Sequence, residues 1–334
     1  MTKKTTPNAL QGLNLNYATK SAPAPALNTK NFALLVKEAA SNEFAGEFTV
    51  NAAIAKHLLE KHNPKNRKIH APSVSALARD MREGRWLGHV GDEITFDNKG
   101  HLNNGQHRLA AIVESGLEQR MSLRFGLNEA GRLVEGRGRT KQFSDYLSMT
   151  GGEYKHQAAL SALVRLLYGF LLDNKRPQSA SGNAKPTNGE LNEVMVEFGE
   201  SLYESLVYMK SLNILHVMVD TNAALLHFLF KQTTHGKAKA DDFFAKLANG
   251  AAMNGTDPRL VVRNRFIADT TKMYRQQGNK DITMGLVAKA WNAWVHGKDW
   301  SSKERTPAHL VQIDGLTKLG DRDIYAAPKA AVTP

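Results

Sequence analysis

The chain has 334 residues and no cysteine, and its 44 Lys and Arg outnumber 32 Asp and Glu, for a formal net charge of +12. Without cysteine, disulfides, thiolate metal sites and a cysteine nucleophile are all excluded. This length accommodates two domains. The positive charge favours a polyanionic partner, of which nucleic acid is the most abundant, although a basic surface can also serve solubility alone.

The sequence also predicts a protein that does not enter a membrane. No segment reaches the roughly eighteen continuous apolar residues that a membrane-spanning helix needs. Lys3 and Lys4 are not followed by the apolar core of a secretory signal. We therefore expect a soluble, cytoplasmic protein.

The first part of the chain changes from a polar leader to regular structure. Residues 1–30 are rich in Thr, Lys, Asn, Ala and Pro, which predicts a disordered tail. A helix is predicted over 31–40 and a strand over 47–50. Asn51 and Ser73 are placed to cap the two helices that follow.

A strand, a turn and a helix then follow one another closely. An alternating strand at 93–97, a glycine-containing turn and a short second strand lead into an apolar-periodic helix over 106–115. Gly105 precedes this helix and lets a ligand approach the backbone, while the first helical N–H groups lack intrahelical acceptors and form an anion site. Arg108 can grip a phosphate with two parallel hydrogen bonds, and His107 adds a donor or a titratable group.

Two interpretations of this turn stay open on the residues alone. In the first, it holds phosphate, and Gln106 donates and accepts hydrogen bonds at the mouth of the site. In the second, it is an ordinary hairpin followed by a helix whose polar first turn faces water, since Gly-x-His-Arg is a short motif.

Residues 105–111, Gly-Gln-His-Arg-Leu-Ala-Ala, resemble the phosphate-binding motif Gly-x-(His/Arg)-Arg-x-x-Ala of the ParB/sulfiredoxin superfamily. The order of predicted elements over roughly residues 45–150 also resembles the ParB-like domains of phage and mobile-element proteins. The resemblance implies that CTP or ATP, with Mg²⁺ as an option, is held at this turn. It also implies that Asn66 and Arg67 stand at the rim of the nucleotide pocket.

The sequence departs from the family pattern at three positions. Gln106 replaces the cysteine of sulfiredoxins, which excludes sulfinic-acid reduction by that route. Asn104 replaces an aspartate of many relatives, and an amide binds metal poorly and cannot act as a general base. We therefore expect Asn104 to help hold phosphate rather than break its bonds. Val134 stands where an acid is expected, with Glu135 one place away.

Glycines and arginines alternate over residues 134–141, which suits a second phosphate-contacting loop. This segment supplies three further candidates for phosphate binding, Arg137, Arg139 and Thr140. Phosphoryl transfer needs an acid that holds metal and a base that accepts a proton. The candidates for such catalysis are Glu93, His107 and Glu135, and the alternative for each carboxylate is a solvated turn residue.

Beyond Gly151-Gly152, a predicted domain boundary, the pattern is helical. Helices are expected over 158–172, 190–198, 202–212, 221–231, 241–247, 258–277 and 284–296. The basic residues of one helix are candidates for contacts with a nucleic-acid backbone, with a solvated face as the alternative: Arg259, Arg263, Arg265 and Lys272. Trp291 and Trp294 are expected to pack from one helical face. The spacing of the histidines predicts no zinc site.

The expected fold class is α+β. We expect a disordered tail at 1–30, a ParB/sulfiredoxin-like nucleotide-binding domain at 31–150 with a small mixed sheet, an all-α domain at 151–320 and a flexible tail at 321–334. The expected function is that of a nucleotide-binding, DNA-associated protein of phage or mobile-element type, compatible with NTP hydrolysis and with a homodimer. The alternatives are a metal-dependent phosphotransferase or nuclease of the same fold, and a non-catalytic scaffold for protein partners.

Overall fold

A computed structural model describes residues 24–64, 66–87, 93–128, 141–149, 154–172, 185–269 and 279–324. The fold is α+β, as the sequence predicts. The chain divides into two compact units, the first formed by residues 1–141 with 181–190 and the second by residues 142–180 with 191–334. Among the described residues, no helix combines the length and the apolar character needed to cross a membrane.

The described part of the first unit is a small mixed sheet with helices. Its elements are α1 Thr29–Ala39, β1 Phe44–Val50, α2 Ala52–Lys61, α3 Ala71–Arg82, β2 Ile94–Asp97, β3 Leu102–Asn104, α4 Gln106–Ser115 and β4 Gln119–Leu127. The strand order is β1-β4-β2-β3. β4 pairs antiparallel with β1 and parallel with β2, whereas β2 and β3 form an antiparallel hairpin. Helices α2 and α3 both contact α4.

Aromatic side chains fill the core between the sheet and helix α1. Phe96 and Phe125 stack with ring centroids 5.0 Å apart, and Phe44 stacks on the other side of Phe125 at 5.2 Å. Phe32 of α1 meets the edge of Phe96 at 5.1 Å. Rings in these offset and edge-to-face arrangements contribute beyond their buried area, so this cluster fixes α1 on the sheet.

The ends of two predicted elements differ from the structure. The segment predicted as a tail is ordered in its last part, because the Leu27 N–H donates to the Thr49 carbonyl and the Thr49 N–H donates to the Pro25 carbonyl. Residues 1–23 lie outside the described residues. Ser73 does not cap α3, which begins at Ala71; its Oγ instead lies 2.9 Å from Nδ1 of His70, the residue at the cap position.

The cap predicted for α2 is confirmed, since the side chain of Asn51 accepts the Ile54 N–H at 3.0 Å. Residues 185–190 contact α3 of the first unit. Thr187 Oγ donates to Asp80 at 2.8 Å, and Arg79 Nε donates to Glu190 at 3.0 Å.

The second unit is mainly helical. Its elements are α5 Phe143–Met149, α6 Gln157–Leu172, α7 Asn188–Ser211, whose first turn belongs to the first unit, a 3-10 turn at Ile214–His216, α8 Asp220–Lys231, α9 Gly236–Asn249, α10 Pro258–Ala268, α11 Lys280–Val295, β5 Lys318–Leu319 and β6 Arg322–Asp323. The hairpin of β5 and β6 departs from the all-α expectation. By its contacts α5, which the sequence analysis assigns to the first domain, belongs to this unit.

Helix α7 is continuous where the sequence predicts two helices. A Cβ on Gly199, which lies between the two predicted helices, would be 2.7 Å from Met195 Cε. The glycine therefore makes room for Met195 inside the helix. On α11 the expectation is confirmed, because Trp291 stacks on Phe230 at 4.3 Å and its ring lies 5.7 Å from that of Trp294.

His227, the histidine of α8, is deeply buried and belongs to a charged cluster. It is 1% exposed, and its Nε2 lies 2.8 Å from Asp241 Oδ1. Lys237 Nζ lies 2.6 Å from the other oxygen of Asp241. Burial outweighs the attraction of Asp241 and lowers the pKa of His227 to about 4.

Stability of the second unit should therefore fall on acidification. In the unfolded chain His227 binds a proton near its ordinary pKa of about 6.5, whereas in the folded chain it does so only near pH 4. The contribution of neutral His227 to the free energy of unfolding is therefore complete above about pH 6.5 and is lost as the pH falls below that value. Between about pH 7.5 and about pH 5 the loss should be about 2 kcal/mol. Urea unfolding at both pH values measures it.

Two variants identify the group responsible for this pH dependence. His227→Phe should show a smaller loss between the two pH values. His309→Gln, a change at an exposed histidine of the same unit, should behave as the wild type. An equal pH dependence in all three proteins would assign the effect to other groups.

Candidate functional site

Gly105 stands at the N-terminus of α4 and is required by two features of the fold. Its φ of 110° lies in the left-handed region, which side chains disfavour. In addition, a Cβ here would lie 2.9 Å from both Cγ atoms of Ile94. The space beside the glycine is thus filled by Ile94 rather than left for a ligand, which corrects the role that the sequence analysis gave to it.

The amide of Gln106 is used inside the protein and not at the mouth of a site. The side chain is 5% exposed. Its Nε2 donates to the Arg67 carbonyl at 2.9 Å, and its Oε1 accepts from Asn63 Nδ2 at 3.3 Å. Asn66 has a similar role, because its Nδ2 donates to the Leu102 carbonyl at 2.6 Å and to Asn63 at 2.5 Å. These amides hold the loop between α2 and α3 against β3 and α4.

His107 connects the N-termini of two helices. The N–H of His70, the cap residue of α3, donates to His107 Nε2 at 2.9 Å. This bond requires a neutral imidazole with its proton on Nδ1. Burial, with Arg67 and His70 as nearby cationic groups, lowers the pKa of His107, in agreement with that form. Arg67 itself is exposed, and its guanidinium has no partner among the described residues.

Arg108 and Glu93 do not meet at the mouth of the turn. Arg108 is 8% exposed, and its Nη2 donates to the backbone carbonyl of Glu93 at 3.0 Å. The Glu93 carboxylate instead accepts from Arg124 Nε at 2.6 Å, and Arg124 also donates to Glu43 at 2.9 Å. The hydrogen bonds that Arg124 donates to Glu93 and then to Glu43 raise the pKa of Arg124. The carboxylate of Glu93, the first of the predicted catalytic acids, is therefore paired with Arg124 of the sheet.

The polar groups of the β2–β3 hairpin divide into a buried and an exposed set. Asp97 is buried, and its Oδ1 accepts the N–H groups of Lys99 and His101 at 2.9 and 2.8 Å. Its role is to shape the turn. Asn104, which ends β3 beside Gly105, is exposed. Among the described residues, no group of three or more His, Asp or Glu side chains could hold a metal ion.

Several predicted site residues lie outside the described residues. These are Glu135, Arg137, Arg139 and Thr140 in the first unit and Lys272 in the second. The structure therefore brings together Asn66, Arg67, Asn104, Gly105, Gln106, His107 and Arg108 around one turn. Glu93 is bonded to this group through its backbone carbonyl, which accepts from Arg108.

The basic residues of α10 mostly face their own unit. Arg259 donates to Asp257 and to Asp242, at 2.8 and 2.6 Å, and its guanidinium lies over the Trp294 ring at 4.5 Å. Arg263 donates to the Leu247 carbonyl at 3.3 Å, and Arg265 to the Ser302 carbonyl at 2.7 Å. These guanidinium groups stabilise the helical unit, so α10 does not offer a row of unengaged cations.

Sequence reasoning missed His70 and Asn63, whose partners are 37 and 43 residues away along the chain. The only local signal was the position of His70 before a helix. The rings of His57 and His62 also lie close together, with centroids 5.6 Å apart, because α2 ends at Lys61 and His62 leaves the helical path.

The chain matches no known protein-family model, no curated protein and no solved structure. Function is therefore inferred from the geometry of the turn between β3 and α4 and from the chemistry of its residues.

The two glycines that flank α4 test the geometry at Gly105. Gly105→Ala should cost about 1–3 kcal/mol for the left-handed backbone and about 1–3 kcal/mol more for the contact with Ile94. Gly116→Ala, at a φ of 74° with open space around it, should pay only the backbone part, about 1–2 kcal/mol. Urea unfolding compares them, and equal losses would show that Ile94 does not restrict the site.

Proposed function

We propose that the protein is a ParB-like nucleotide-binding, DNA-associated protein of phage or mobile-element type that acts in the cytoplasm of a bacterial host. CTP or ATP, with or without Mg²⁺, would place its phosphates at the turn of residues 105–108. The observation that carries the proposal is the hydrogen bond between His70 N–H and His107 Nε2, which brings the N-termini of α3 and α4 together. The exposed Arg67 lies beside them.

Each part of this arrangement suits phosphate. The first N–H groups of α4 lack intrahelical acceptors, and the positive ends of two helix dipoles add to the local potential. Arg67 supplies a guanidinium that can bond two phosphate oxygens. Gln106 and Asn66 would position the Arg67 loop rather than touch the nucleotide. Arg108 would support the turn through its bond to the Glu93 carbonyl.

The same geometry favours binding over phosphoryl transfer. Transfer and nuclease chemistry need a carboxylate that can hold a metal ion or accept a proton. Of the described carboxylates near the turn, Glu93 is paired with Arg124 and Asp97 is bonded within its hairpin. Asn104, which lies beside the turn, is an amide.

The proposal is tested by thermal shift with ATP, CTP, GTP and UTP, with and without Mg²⁺. A ligand that binds the native state raises the melting temperature. We expect one nucleotide to stabilise the wild type and Arg67→Gln to need about tenfold more of it, because a charge-assisted hydrogen bond contributes about 1.5–3 kcal/mol. Arg67 is preferred to Arg108 because its exposed side chain has no described partner, so its loss leaves the fold intact.

Lys298→Gln, an equal charge change at an exposed residue of the second unit, is the matched control and should bind as the wild type. If no nucleotide stabilises the wild type, the phosphate assignment is rejected and a scaffold function takes its place. Metal-dependent turnover that Glu93→Gln abolishes would instead support a phosphotransferase or nuclease.

A further inference from the structure

Two segments of the first unit run side by side next to the proposed nucleotide site. The Leu102 N–H donates to the His62 carbonyl at 2.6 Å, and His62 Nδ1 donates to the Gly100 carbonyl at 3.1 Å. Further along, Asn66 Nδ2 donates to the Leu102 carbonyl at 2.6 Å. Residues 61–64 and 66–70 are therefore aligned with residues 99–107, so that the described charged side chains of both segments lie along one edge of the unit.

The described residues of this edge include four cationic side chains, which we call the basic rim: Lys61, Arg67, Lys68 and Lys99. All four are exposed. None of them has a side-chain hydrogen bond or ion pair with another described residue. Their positive charge is thus available to a ligand from solution.

The carboxylates next to the rim do not balance its charge. Glu60 lies 3.9 Å from Lys56, one turn before it on the same helix, and Asp97 is buried and bonded to hairpin N–H groups. Burial and then His57 and His101 lower the pKa of His62, just as burial and then Arg67 and His70 lower that of His107.

We propose that the basic rim binds the sugar–phosphate backbone of nucleic acid. The proposal rests on the DNA association in the proposed function and moves the contact surface from α10, whose described arginines are engaged within their own unit, to the edge beside the nucleotide turn. Lysines on flexible stems contact phosphates as point charges and carry no sequence information. Binding should therefore be largely independent of sequence and strongly dependent on salt.

The test is a fluorescence-anisotropy titration of the full-length protein with labelled single-stranded and duplex DNA, without nucleotide and at several salt concentrations. The rim variant is Lys61→Gln/Lys68→Gln/Lys99→Gln. The control is Lys155→Gln/Lys298→Gln/Lys303→Gln, which removes the same charge from exposed lysines of the second unit. The rim variant should bind at least about tenfold more weakly, and the slope of log K against log salt should fall by about 2.

The control should keep its affinity within about twofold of the wild type. Equal weakening of both triple variants would show that only the overall charge matters and would overturn the proposal, as would a wild type that binds neither DNA. Because the titration contains no nucleotide, its failure is separate from that of the nucleotide site. A rim effect together with absent thermal shifts would reject nucleotide binding and leave the rim in place.

Discussion

The buried amide of Gln106 is the interaction on which the rest of the site depends. It joins the loop after α2 to the first turn of α4, with one bond to the Arg67 carbonyl and one from Asn63. A buried amide that loses such a partner costs about 1–3 kcal/mol, which is more than the net gain from forming the bond. Because a displaced loop would leave the buried amide without its partners, the loop stays fixed. The positions of Arg67 and His70 are fixed with it.

The sequence predicted α4 to its described limits, Gln106–Ser115, because the signals for that helix are local. Gly105 supplies the left-handed residue and the apolar spacing marks the buried face. The same reasoning failed over residues 190–212, where two helices are predicted and the structure has one, with Gly199 inside it leaving space for Met195. The helix cap predicted at Ser73 is also wrong, because a hydroxyl near the start of the helix was preferred to His70, which precedes the helix.

Local sequence patterns could not predict the directions in which the side chains of the site point. The sequence placed Gln106 and Arg108 at the anion, but their partners lie 39 and 15 residues away and are backbone carbonyls, which no residue type announces. Likewise, the arginines of α10 form a basic row in the sequence, yet Asp242, 17 residues before Arg259, neutralises part of it. Net charge indicates the class of partner, whereas the ion pairs formed in the fold determine which cations can still contact that partner.

The distribution of charge around the turn bears on whether the turn could only bind an anion or could also catalyse its conversion. Asp97 and Glu93 are the described acids nearest the turn, and both form structural bonds, one within a hairpin and one with Arg124. The cations on the other side of the turn remain exposed. Among the described residues, the turn combines an exposed guanidinium without an ion pair, two helix N-termini and carboxylates that are already bonded, an arrangement suited to holding phosphate. This asymmetry is the reason that we propose binding rather than turnover for the first unit.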